Sequence, residues 1–264
     1  MNKIEIKTSY VQIPNRDLKI DAYLAQPIKA GKKAAVIVFQ EIFGVNQNIR
    51  EIADLIAQQG YITIAPAMYQ RIAPGFTRDF SPEDCGYSPE AYEVGVQYFQ
   101  QVRYWEIFSD IQATIAYLKT LDNLKQKAIG CIGFCFGGHI AYMAATLPDI
   151  KATASFYGGG MTTSCYGEET PTIDLTSQIQ GTIYLFYGDR DRLVSQAETQ
   201  QIEAELQKQK IKHRIFRYDA GHGFFASFFQ DKYPFIKQHP SFNFEAASHA
   251  WQQVLKLFEH NLSK

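Results

Sequence analysis

Residues 34–39 read Ala-Ala-Val-Ile-Val-Phe, an uninterrupted apolar run that suits a strand buried on both faces. Residues 48–59 change period. Ile49, Ile52, Ala53, Leu55 and Ile56 recur at helical spacing, and Gly60 supplies a stop. The same two patterns then alternate. Strands are expected at 61–65, 128–132, 152–157, 182–187 and 213–218, and helices at 109–119, 139–146, 197–208 and 245–262. Ahead of them, residues 4–11 and 18–25 form an expected antiparallel hairpin around Pro14-Asn15-Arg16-Asp17. Strands alternating with helices predict an α/β domain, a mostly parallel twisted sheet with helices on both faces. Residues 74–103 are the largest stretch without a clear period, with a Pro-, Gly- and acid-rich loop over 74–89. A loop of that length in a compact domain is expected to act as a lid, at about 74–105.

The chain has 264 residues, 46% of them hydrophobic, which fits one domain over 1–264 with a large core. Its formal net charge of −1 offers no basic field, so neither nucleic acid nor anionic lipid is an expected partner. The first residues are polar and alternating, without the apolar run of a signal peptide, and no stretch has the length of a membrane span. Four cysteines (Cys85, Cys131, Cys135 and Cys165) show no CxxC spacing, which suits reduced thiols in the cytoplasm; a Cys85–Cys165 disulfide is left open. No cluster has metal-ligand spacing, and no metal or organic cofactor is expected.

The chemistry concentrates at Gly133-Phe134-Cys135-Phe136-Gly137-Gly138, between a predicted strand and a predicted helix. This reads as the nucleophile elbow of an α/β-hydrolase, G-x-S-x-G with cysteine in place of serine. Gly133 and Gly137 are expected where strand and helix backbones nearly touch, and the helix N-terminus behind Cys135 favours a thiolate. The blander reading is a tight turn with a buried, inert cysteine. Downstream, strand 182–187 runs into Gly188-Asp189-Arg190-Asp191, and strand 213–218 into Asp219-Ala220-Gly221-His222-Gly223. Nucleophile, acid, histidine is the order of α/β-hydrolases, and each group follows a strand.

Cysteine attacks as thiolate and needs a base, which His222 on its Gly-flanked loop can supply. Asp191 would orient the imidazole; Asp189 competes, but hydrolases of this class usually place the acid a full turn past the strand. The backbone N–H groups of Phe136, after the nucleophile, and Ile42, after strand 34–39, are candidates for an oxyanion hole. Glu41 lies at that mouth, where an acid beside a nucleophile is unusual; a strand-end carboxylate facing water is the simpler alternative.

Taken together, Gln40-Glu41-Ile42-Phe43-Gly44, Pro66-Ala67-Met68-Tyr69, the cysteine elbow, Gly188-x-x-Asp191-x-x-Val194 and Gly221-His222-Gly223-Phe224 resemble the dienelactone hydrolase (carboxymethylenebutenolidase) family over most of the chain. The resemblance implies a Cys135-His222-Asp191 triad, with Glu41 contacting the resting thiol and helping to deprotonate it once substrate binds. It also implies that Arg71 matches a position holding the substrate carboxylate. A second such arginine, four residues after the histidine, is Ala226 here. Losing one arm of that clamp weakens the case for a dienelactone substrate. The aromatic run around it, Phe224, Phe225, Phe228 and Phe229, fits either an apolar pocket or core packing.

The expected function is hydrolysis of an ester or lactone through an acyl-cysteine, on a small-molecule substrate, by a monomer or weak homodimer. The alternative is a thiol-based binding or redox-sensing protein that keeps the scaffold without turnover.

Overall fold

The computed structural model describes residues 4–163, 166–167 and 170–262. Cys165, half of the disulfide left open above, lies outside the described residues. Eight strands form one sheet: β1 (Ile6–Asn15), β2 (Leu18–Pro27), β3 (Lys33–Phe39), β4 (Ile62–Pro66), β5 (Leu124–Phe134), β6 (Ile150–Phe156), β7 (Thr182–Gly188) and β8 (His213–Tyr218). Their order is β1-β2-β4-β3-β5-β6-β7-β8. β1 and β2 form the predicted hairpin, and β2 is antiparallel to β4; all later pairings are parallel. β1 runs through Pro14, which an edge strand tolerates because it need not donate on its outer side.

The uninterrupted apolar run of β3 is explained by two cores. Ala34, Val36 and Val38 face one, with α1 (Gln47–Ala57) and α6 (Phe244–Leu262); Ala35, Ile37 and Phe39 face the other, with α3 (Tyr104–Lys119) and α4 (Phe136–Ala145). A third, smaller core lies under α5 (Gln196–Lys208).

The region expected to be an irregular lid contains a helix, α2 (Pro89–Phe99). Ser88 caps it by accepting from the Ala91 N–H at 3.1 Å, and Pro89 sits in the first turn, where its missing N–H costs nothing. Ser-Pro was the readable signal; the Gly and acids before it hid the helix. α3 also begins earlier than the apolar period suggested.

The chain crosses from β3 to β4 on one side and reaches β5 on the other, so the order reverses between β3 and β5. Crevices form at the strand ends at such a point. Registers bring those ends nearly level: Phe39 is opposite Gly133, Phe134 opposite Phe156, Phe156 opposite Phe186 and Gly188 opposite Tyr218.

Candidate active site

The six parallel strands β3 to β8 all end at this edge, and the loops after β3, β5, β7 and β8 deliver the catalytic groups singled out from sequence. Cys135 stands between β5 and α4 with φ 53° and ψ −117°, a left-handed backbone unusual for a residue with a side chain. The glycines make this turn feasible. A Cβ on Gly133 would come within 1.8 Å of the Gly137 carbonyl oxygen, and one on Gly137 within 2.4 Å of that of Phe39. No side chain fits at either position.

His222 and Asp191 meet as expected. Nδ1 of the imidazole lies 2.8 Å from Asp191 Oδ2, and the carboxylate also accepts the N–H groups of Leu193 at 2.8 Å and Val194 at 3.1 Å, which fix its angle. Asp189, the competing acid, sits instead 4.0 Å from Arg217. His222 Nε2 is buried without a hydrogen bond to a described residue. Burial opposes charging the ring, but Cys135 and Asp191 outweigh it, and the pKa is pushed up to about 10.

Glu41 does not face water. Its carboxylate is buried and accepts the Tyr87 hydroxyl at 3.0 Å. Burial raises its pKa, an effect partly offset by Tyr87, the His222 charge and Tyr157. Tyr87 is held in turn by Asn46 Nδ2 at 2.8 Å, while Asn46 Oδ1 caps α1 through the Ile49 N–H at 3.0 Å. A residue of the lid segment therefore reaches Glu41 directly, and its anchor is a helix cap.

Ile42 and Phe136 both border the same cavity as Cys135. Neither N–H donates to another described residue. Helix α2 crosses close above: a Cβ on Gly95 would come within 2.8 Å of the Ile42 carbonyl.

The cavity measures about 620 Å³. Cys135, His222, Glu41 and Tyr157 lie at its floor side, while Phe80, Tyr87, Val96 and Phe99 come from the lid segment. Residues 239–242 close another side with His239 and Phe242, whose rings stack at 4.3 Å. Of the run 224–229, only Ala226 reaches this cavity; Phe224 and Phe225 are packed in the core against Phe156, so that run is chiefly core.

Arg71 is not brought to the site. It is absent from the cavity lining and is paired with the buried carboxylate of Asp110 at 2.7 Å. Asp110 is also bound by Asn15 at 2.7 Å, tying β1 to α3.

Two contributors were not singled out from sequence. Tyr157, after β6, has φ 37° and places its ring 4.9 Å from that of His222. Glu198 on α5 accepts the Met161 N–H at 3.0 Å and so holds the loop whose Gly159 and Gly160 line the cavity. A strand-end aromatic and a helix-surface acid carry no local mark of such roles.

A mostly parallel sheet with helices on both faces and an elbow at its switch point define an α/β-hydrolase fold. The solved structure of a "Putative Dienelactone Hydrolase" from Klebsiella pneumoniae subsp. pneumoniae superposes with a TM-score of 0.80 at 25% identity, covering 96% of this chain and 98% of that one. An α/β hydrolase from a Medee basin deep-sea metagenome library superposes at 0.70 with 15% identity, over 97% and 99% of the two chains. The family model for the dienelactone hydrolase family matches residues 20–262, and the chain belongs to that family. A relative from Synechocystis sp., named "Putative carboxymethylenebutenolidase", is 48% identical over 98% of this chain and 99% of its own. The chain is a hydrolase of this carboxymethylenebutenolidase-like family. No helix among the described residues is long and apolar enough to cross a membrane.

Proposed function

We propose that the protein hydrolyses carboxylic esters or lactones through Cys135, His222 and Asp191, by way of an acyl-cysteine. The observation that carries this reading is the Asp191–His222 pair at 2.8 Å, with Cys135 raising the charge on the same imidazole from a strained strand-to-helix turn.

Binding puts the substrate carbonyl over Cys135. The thiol proton leaves toward His222, with Glu41 assisting, and the sulfur attacks the carbonyl carbon. The N–H groups of Ile42 and Phe136 receive the oxyanion. His222 then protonates the departing alkoxide, and the acyl group remains on sulfur as a thioester. Water, giving its proton to His222, attacks that thioester, and the acid departs as the thiol is restored. Asp191 keeps Nδ1 protonated so that Nε2 faces the reaction. A reducing compartment such as the cytoplasm suits a thiol in this role.

The test compares wild type with Cys135→Ala on p-nitrophenyl acetate and on a dienelactone. Turnover of p-nitrophenyl acetate that disappears in the variant, with an acyl mass adduct on Cys135 at early times, is the expected result; the dienelactone tests the family substrate. Wild-type rates in the variant would end the triad assignment. A thiol that alkylates rapidly while wild type hydrolyses neither ester would favour binding or sensing instead.

A further inference from the structure

We propose that this cavity selects uncharged acyl substrates and turns away those carrying a carboxylate; the inference rests on the hydrolase reading above. No lysine or arginine stands among the described lining residues. The ionisable groups there are Glu41, Cys135, His222 and His239, with several tyrosine hydroxyls. The charge on His222 is already answered by Asp191 at 2.8 Å. A substrate carboxylate would therefore meet the buried carboxyl group of Glu41 and, among the described lining residues, no lysine or arginine.

The nearby cations are engaged or outside. Arg71 is paired with Asp110 at 2.7 Å and Arg190 with Asp219 at 2.7 Å; Lys232 is paired with Glu51. Arg192 is exposed and does not line the cavity. Ala226, four residues past the histidine, offers a methyl group to the lining.

What the cavity does offer is apolar: Phe80, Val96, Phe99, Leu193, Phe242 and the ring of Phe136. An unpaired charge taken from water into such surroundings is strongly penalised, and like charges placed together add to the penalty. Its volume of about 620 Å³ is ample for an aromatic or branched alkyl portion. The acid formed by hydrolysis faces the same field, which favours its departure.

The test uses two esters of nearly equal size, 4-acetoxybenzamide and 4-acetoxybenzoate, in which a neutral carboxamide replaces the charged carboxylate. kcat/KM, normalised to the hydroxide rate of each ester, is expected to favour the amide by at least about tenfold. Calorimetric titration of Cys135→Ala with the same compounds is expected to show the same order without any turnover. Ala226→Arg introduces a cation into the lining and should narrow the ratio. Leu193→Arg repeats this at a position 57% exposed, where folding is not at stake, and its effect should fade with added salt. Equal or better use of the carboxylate ester by wild type, or tighter binding of it by Cys135→Ala, overturns the inference and leaves the hydrolase reading intact. Absence of turnover for both esters, with binding still favouring the amide, would strike the hydrolase reading while supporting the charge selection.

Discussion

The floor and the cap of the cavity are built on different principles. The floor is backbone: Gly133, Gly137 and Gly138 lie where carbonyls of Gly137, Phe39 and Phe156 leave no space for a Cβ. The cap is side chains: Phe43 stacks on Tyr87 with centroids 3.4 Å apart, Phe80 packs against Tyr87 at 4.7 Å, and Phe99 meets Phe136 edge-on at 5.5 Å. A floor of that kind admits almost no substitution. Aromatic surfaces can be exchanged while their bulk is kept. Reaction type is thus tied to the part that cannot vary, and substrate choice to the part that can.

The sharpest way to break this contrast is Gly133→Ala. Its Cβ would fall within 1.8 Å of a carbonyl oxygen, so the strand and helix must separate; a loss of more than about 3 kcal/mol in denaturant unfolding is expected, with no measurable turnover. Near-wild-type stability would mean the elbow is looser than its contacts indicate. Asp191→Asn removes the charge but keeps the shape. Turnover is expected to fall about 10²- to 10⁴-fold with the fold retained, measured as kcat beside a thermal melt.

A titration sharpens the electrostatics of the floor. His222 is raised to about 10 with Cys135 as the foremost raising influence, so Cys135→Ala should move its NMR titration downward. The sign for stability follows from linkage. The favourable contribution of His222 is fully present below its unfolded value of about 6.5 and is lost as pH rises through about 10. An unchanged titration in the variant would remove the thiol from the pair.

At the cap, Tyr87→Phe keeps the ring and deletes the hydroxyl between Asn46 and Glu41. It should cost about 1–2 kcal/mol. It should also raise the Glu41 pKa further, because that hydrogen bond lowers it, and move the acid limb of the pH–rate profile upward. Arg71→Ala is expected to change kcat and KM least. Its cost should appear in unfolding, at about 2 kcal/mol, because Asp110 is left buried with one partner fewer. A raised KM with unchanged stability would return Arg71 to substrate binding.

The floor was largely legible and the cap was not, for the same physical reason. Close backbone approach demands glycine, and strand ends show as abrupt changes of period, so Cys135, Asp191 and His222 could be singled out one after another along the chain. β5 was foreshortened because Lys125-Gln126-Lys127 interrupt the apolar run before the sheet ends. α2 was hidden by the turn-forming residues ahead of it, and the aromatic run after His222 could not declare which of its rings turn inward. Arg71 illustrates the remaining limit. Its place in the chain is compatible with the site, but the buried carboxylate that holds it lies 39 residues away on α3.

The sheet order also sets a sequence in time. Phe39 and Gly133, side by side in the floor, are far apart in the chain, and His222 follows β8, which occupies an outer edge of the sheet. During synthesis the elbow therefore leaves the ribosome before its histidine does. For that interval the nascent chain carries a thiol with no imidazole beside it, and docking of β8 brings the histidine to it. The rate at which Cys135 gains reactivity during refolding is, on this view, a clock for the arrival of the last strand.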